Sequence, residues 1–217
     1  MTILIFLDEI VQIPVGRPKV LEKRQRILNA AKQLFLQHGY HGSSMNQIAL
    51  EAGVTKLTVY NHFQDKATLF SCAVEETCEA ILQESPKVLQ PDSDFKQELY
   101  QICLRSFNIA NLPEALKLDL LIMQLAYEKN PLAERFYTAS HIKLNQAWHD
   151  FFEQAQQHQF IQTDDPQHQT ELMVSLLLGM RHHKVLLSLS PLPDMQQRHQ
   201  IIQQAIEIFM LKYAISR

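Results

Sequence analysis

The stretch SMNQIALEAGVTKLTVYNHFQDK, Ser44 to Lys66, decides how the rest of the chain is read. Ser44 stands three residues ahead of Gln47, the spacing of a capping box that opens a helix. Met45, Ile48, Ala49 and Ala52 then fall at i, i+3, i+4 and i+7, so this helix buries one face. Gly53 stops it, because glycine enters the left-handed conformation of a helix end without a Cβ penalty. Thr55 can cap a second helix through its hydroxyl, and Val59 and Phe63, four apart, share that helix's inner face. Two short helices joined by a tight glycine turn make a helix-turn-helix, whose second helix enters the major groove of DNA.

The outer residues of the second helix suit that use. Leu57, Thr58 and Asn61 point away from the Val59/Phe63 face, with Tyr60 and His62 on the flanks. Asn61 can read an adenine edge bidentately, Thr58 can bond to several bases, and Leu57 can lie against a thymine methyl. Lys56 and Lys66 bracket the helix and, with the Tyr60 hydroxyl, suit phosphate contacts that set register. The alternative is a plain packing corner, which leaves the basic flank and the polar outer face unexplained.

Charge is distributed in the same sense. Between Val15 and Phe70 there are eight Lys/Arg against three acids, a net +5, and from Ser71 onward twelve against eighteen, a net −6. A basic end on an acidic body is expected when only one end meets a polyanion. The whole chain of 217 residues is 46% hydrophobic and 20% charged, as in ordinary soluble proteins. It has five glycines, four of them in the first quarter, and few alternating β-branched runs, so the expected fold class is all-α. Cys72, Cys78 and Cys103 make no CxxC pair and read as buried thiols in a reducing cytoplasm.

In chain order, residues 1–14 contain the apolar run Ile3–Leu7, too short to span a membrane and lacking a basic flank for a secretory signal; they receive no assignment. Val15–Lys19 reads as an extended basic arm whose Arg17 and Lys19 can follow the DNA backbone or enter a minor groove. Periodicity places helices at about Leu21–His38, ended by Gly39, and Lys66–Glu84, capped by Asp65. After a linker with Pro86 and Pro91, further helices are expected at about Asp94–Ala110, Glu114–Lys129 and Pro131–Phe160. The division expected is a DNA-binding head over 15–70 and an effector-binding and dimerisation body over 71–217.

Glu171–Leu187, apolar on almost every face, and Gln196–Tyr213 read as the last two helices. Two such helices from each of two chains make a four-helix bundle, with Leu176, Met180, His183, Leu187, Ile202, Ile206 and Phe209 expected at the seam. The other reading is a monomer core; reading two half-sites favours the homodimer. Met123, Tyr127, Phe136, Tyr137, Trp148, Phe151 and Phe152 supply surface for an apolar or aromatic ligand, with Arg181 and His182 as polar groups that can orient it. Adjacent His182 and His183 point about 100° apart on a helix, so they do not chelate one ion, and neither metal nor cofactor is expected.

Enzyme chemistry finds no support. There is no GxGxxG or phosphate loop, no HExxH, no Glu followed three residues later by His, and no GxSxG elbow. A helical small-molecule-binding or adaptor protein would account for the body but not for the +5 head.

KRQRILNAAKQLFLQHGYHGSSMNQIALEAGVTKLTVYNHFQDKATLF, Lys23 to Phe70, resembles the head of TetR-family transcriptional regulators almost throughout. Asp164–Leu187 is similar to the penultimate helix of the AefR-like subgroup. The resemblance implies an all-helical homodimer on a palindromic operator, with a small-molecule pocket in each body whose occupancy moves the heads apart. It implies repression in the ligand-free state, with activation as the alternative. By analogy Ser44 and Lys66 would meet phosphates, and Lys56, Leu57, Thr58, Tyr60 and Asn61 would lie in or beside the groove. Leu57 stands where many relatives carry glycine or alanine, and residues 1–14 depart from the pattern.

Overall fold

The computed structural model describes residues 16–82 and 88–215. Residues 1–14 lie outside that range, as do Val15, Pro86 and the end of the expected linker helix. Helix α1 (Gly16–Gly42) starts earlier than its apolar pattern suggests. The backbone of Gly16–Lys19 is its first turn, which corrects the expectation of an extended arm. Pro18 fits there because a first-turn residue needs no amide hydrogen for an intrahelical bond. The helix breaks at Gly39, as its glycine predicts, with φ 70° and ψ 178°.

Helices α2 (Met45–Glu51) and α3 (Lys56–Phe63) follow. The Gly53 amide donates to the Leu50 carbonyl and the Val54 amide to that of Ala49, with Gly53 at φ 62°. This is the paired bonding that closes a helix end through a left-handed residue. Helix α4 (Lys66–Leu82) returns along α1. Ile27, Ala31, Phe35, Ile48, Val59, Phe63, Leu69 and Phe70 form the head core, and Leu118, Leu125 and Phe136 of the body join it.

The body contains α5 (Phe95–Ala110), α6 (Pro113–Tyr127), α7 (Leu132–Tyr137) and α8 (Lys143–Gln157). The single helix expected over 131–160 is interrupted by a π-helical turn at Thr138–Ile142. Asp165 caps α9 (Pro166–Leu177), Gly179 at φ 50° starts α10 (Gly179–Leu186), and a capping box of Asp194 with Gln197 starts α11 (Met195–Tyr213). The expected continuous helix over 171–187 is therefore two. Trp148, Phe152 and Phe209 stack in succession at 5.5 and 5.0 Å and make the body core with Met173, Leu177 and Ile202.

Ile202 and Phe209 are fully buried within the chain, which removes them from the expected seam. Met180 and Leu187 are exposed, as is His183, while Leu176 and Ile206 are half-buried. Cys103 is buried against Met173, and burial pushes its thiol far up; Cys72 is half-buried, raised first by the same cause. The side chain of Cys78 lies outside the described residues. Among the described residues no helix is long and apolar enough to cross a membrane.

Candidate DNA interface and body cavity

The recognition face is built by its caps. The Ser44 hydroxyl accepts from the Gln47 amide and donates to the Gln47 side chain, so both of its roles are committed to the capping box. Thr55 caps α3 by accepting from the Thr58 amide at 3.2 Å, and the two threonine hydroxyls bond at 2.8 Å. Thr58 is thus half-buried and engaged, less free to read bases than its place on the helix implies. Leu57 is 69% exposed, Asn61 is exposed, and Lys56 and Tyr60 lie together with the ammonium 5.7 Å from the ring centre. His62 is half-buried on the flank. An exposed leucine beside amide, ammonium and phenol groups is the composition of a major-groove reader.

Lys66 is placed differently from its expected role. Its ammonium donates to the carbonyls of Tyr40 and Ser43 at 2.9 and 3.1 Å and sits 4.3 Å above the Tyr40 ring. The Ser43 hydroxyl, buried, contacts the carbonyls of Leu34 and Gly39. Together they engage carbonyls on either side of the break that Gly39 makes near the end of α1. Burial holds the Lys66 ammonium below its ordinary pKa. Two of its three donors serve the fold, leaving one for a phosphate.

Lys23 and Arg26 line the groove between α1, α2 and α3, beside Thr55 and Thr58. They were counted in the basic charge of the head, but their spacing alone did not tie them to this surface. The side chains of Arg17 and Lys19 lie outside the described residues.

In the body a cavity of about 160 Å³ lies where the head and body cores meet. Phe136 and Leu118, members of the head core, and Trp148, of the body core, all line it. Of the expected pocket residues, Phe136, Trp148 and His182 are therefore present. Met123, Tyr127 and Tyr137 are exposed on the surface instead, and Phe152 is fully buried behind the wall. Tyr137 still bears on the site by stacking on His141 at 4.9 Å. Arg181 donates to the carbonyls of Leu176 and Leu177, freed by the break at Gly179, and so closes α9 rather than entering the cavity.

Sequence reading missed Asp119, His141 and Asn145, which the cavity also contains. Asp119 of α6 lies between His141 Nε2 at 3.8 Å and His182 Nε2 at 4.0 Å. These groups come from three separate elements, and no spacing in the sequence ties them together. Elsewhere His149, Asp150 and Glu153 bring three donors within 4.8 Å on α8, a largely exposed cluster apart from the cavity.

Residues 27–72 match the profile of the bacterial regulatory proteins of the tetR family, and residues 97–215 that of the C-terminal domain of AefR-like transcriptional repressors. The transcriptional activator FasR of Mycolicibacterium smegmatis is 32% identical over 78 residues, 36% of either chain, so the match spans about a third of that relative's length. The crystal structure of a TetR-family regulator from Mesorhizobium loti superposes with a TM-score of 0.81 at 27% identity, covering 91% of this chain and 99% of that one. The flavonoid-responsive regulator FrrA gives 0.78 at 25% identity, covering 94% and 100%. These proteins are regulators, not enzymes. The chain belongs to the TetR family, with an AefR-like body, and is a DNA-binding transcriptional regulator.

Proposed function

We propose that the protein is a homodimeric, ligand-released repressor acting in the cytoplasm on a palindromic operator. Residues 15–70 supply the DNA-binding head and residues 71–217 the effector-binding and dimerisation body. The observation that carries the ligand-release reading is the position of the cavity: Phe136 and Leu118 belong to its wall and to the head core at once. A ligand that prefers one head arrangement therefore shifts the population of operator-competent molecules through its differential affinity alone. An aromatic ligand suits the Phe136 and Trp148 walls, and flavonoid response in the similar FrrA supports this.

Dimerisation is supported by exposed apolar side chains on the last helices: Met180 and Leu187 on or beside α10, and Ile208 and Leu211 three apart on α11. Large exposed apolar surface on a soluble chain marks an interaction face. Repression is supported by the AefR-like repressor body. Activation, the role of FasR, uses the same DNA-binding mode and is the second reading. Sedimentation equilibrium of the protein and of Leu211→Glu tests the assembly. A dimer that weakens in the variant supports it, and a monomer in both refutes it. Added to the operator complex, an aromatic ligand that leaves the DNA bound would refute release.

A further inference from the structure

The polar end of the body cavity carries a preference for one ligand chemistry. Ser140 Oγ lies 2.9 Å from the Phe136 carbonyl and 2.8 Å from His141 Nδ1. A carbonyl only accepts, so the single hydroxyl proton goes there, and His141 Nδ1 must donate to Ser140. In the neutral ring, His141 Nε2 is then an acceptor, facing Asp119 at 3.8 Å. His182 faces the other Asp119 oxygen at 4.0 Å, and its Nδ1 is buried with no hydrogen-bond partner among the described residues. Both imidazole–carboxylate separations exceed hydrogen-bond length, so the two imidazoles bracket Asp119 without bonding to it.

We propose that this end binds the hydroxyl of a small uncharged aromatic ligand, with Asp119 as its acceptor and the His182 imidazole, whose tautomer no partner fixes, as its donor. The inference rests on the reading of the cavity as the effector site. A hydroxyl donates to the carboxylate and accepts from the His182 imidazole, satisfying both groups at once. A ligand carboxylate meets the like charge of Asp119, and an ammonium can donate to Asp119 and to His141 Nε2 but leaves a His182 N–H without an acceptor. Size limits the body of the ligand: an engineered apolar cavity of about 150 Å³ in another protein takes up benzene, and this one is about 160 Å³. One ring with a short substituent fits between Phe136, Leu144, Trp148 and Val174.

Trp148 is the one tryptophan of the chain and lines the cavity, so its fluorescence, excited at the red edge of its absorption, reports occupancy without DNA. The probes are para-ethylphenol, ethylbenzene, para-ethylbenzylamine and para-ethylbenzoate, each titrated into the full chain and into Asp119→Asn. The phenol should bind tightest, and the variant should weaken it about tenfold while leaving ethylbenzene unchanged, the scale of one hydrogen bond to a charged group. Equal binding of phenol and ethylbenzene, tighter binding of the amine or the benzoate, or no response to any probe overturns the proposal. The ranking on the unsubstituted protein decides the matter even if Asp119→Asn fails to fold. A phenol that binds as expected yet leaves DNA affinity unchanged upholds the ligand class and refutes ligand release.

Discussion

The ring of Phe136 lies 6.2 Å from that of Phe70, centre to centre, tilted by 33°. Phe136 stands on α7 and lines the body cavity, whereas Phe70 stands on α4 at the centre of the head core, in edge contact with Phe35 at 5.0 Å. Phe70 is thus the single ring between Phe136 and Phe35 of α1, so a displacement of Phe136 would reach α1 through it. Packed cores respond to such displacements by shifting between discrete arrangements rather than by deforming smoothly.

Phe136→Leu should separate ligand binding from DNA release. It keeps an apolar wall, costs about 1 kcal/mol of stability as a core truncation, and removes the ring-to-ring contact. Trp148 fluorescence should show ligand affinity changed by no more than a few fold, while the ligand-induced loss of DNA affinity, typically about 5–150-fold for coupled sites, falls toward none. Retention of full coupling would show that the signal travels by another route.

Lys66→Ala and Lys56→Ala should differ in kind. Loss of the Lys66 ammonium leaves the Tyr40 and Ser43 carbonyls without their donor, so the head should lose about 1–3 kcal/mol of stability and its Tm should fall. Lys56 is exposed on α3, and its removal should leave Tm unchanged while lowering the slope of log affinity against log salt by about one unit. Equal melting temperatures for the two variants would contradict the carbonyl-capping role of Lys66.

Asn61→Ala should relax the preference at one base position by about 1–3 kcal/mol, measured on duplexes differing at single positions. Tyr60→Phe should weaken all duplexes alike. A uniform loss for both would remove Asn61 from base reading.

Acid should weaken the head through Asp65. Its carboxylate accepts from the Thr68 amide at 2.7 Å at the start of α4, and the amide and hydroxyl of Thr68 hold its pKa below the ordinary aspartate value. A depressed carboxylate pKa means that the stabilisation is present above the ordinary aspartate range and is lost as pH falls through the depressed value. Asp65→Ala should therefore cost about 1 kcal/mol at neutral pH and little in strong acid, as denaturation followed across pH would show. A deficit independent of pH would assign the loss to something other than the carboxylate.

The head was legible because its signals are local. Ser44 with Gln47, Gly53, and Val59 with Phe63 each act within one turn, and the structure places all of them as their spacing requires. Helix α1 starts before the apolar periodicity from Leu21 because its first turn needs no buried face, and Pro18 is accommodated there without an amide hydrogen. In the body the apolar pattern gave the helices but not their breaks: the π turn at Thr138–Ile142 and the left-handed Gly179 lie inside continuous apolar periodicity. Those breaks aim His141 and His182 at Asp119, so the polar end of the cavity is a tertiary product with no sequence signature. The broad apolar face of α11 likewise did not say which side is inner. Ile202 and Phe209 went to the core, and Ile208 and Leu211 stayed outside.

The most direct test of the regulator is selection of bound sequences from random duplex DNA with the purified, ligand-stripped protein over a salt series. A dimeric regulator should enrich an inverted repeat whose half-sites are spaced by about one helical turn or a multiple of it, with affinity falling steeply as salt rises. Enrichment of no sequence by the folded, ligand-free protein would contradict that expectation.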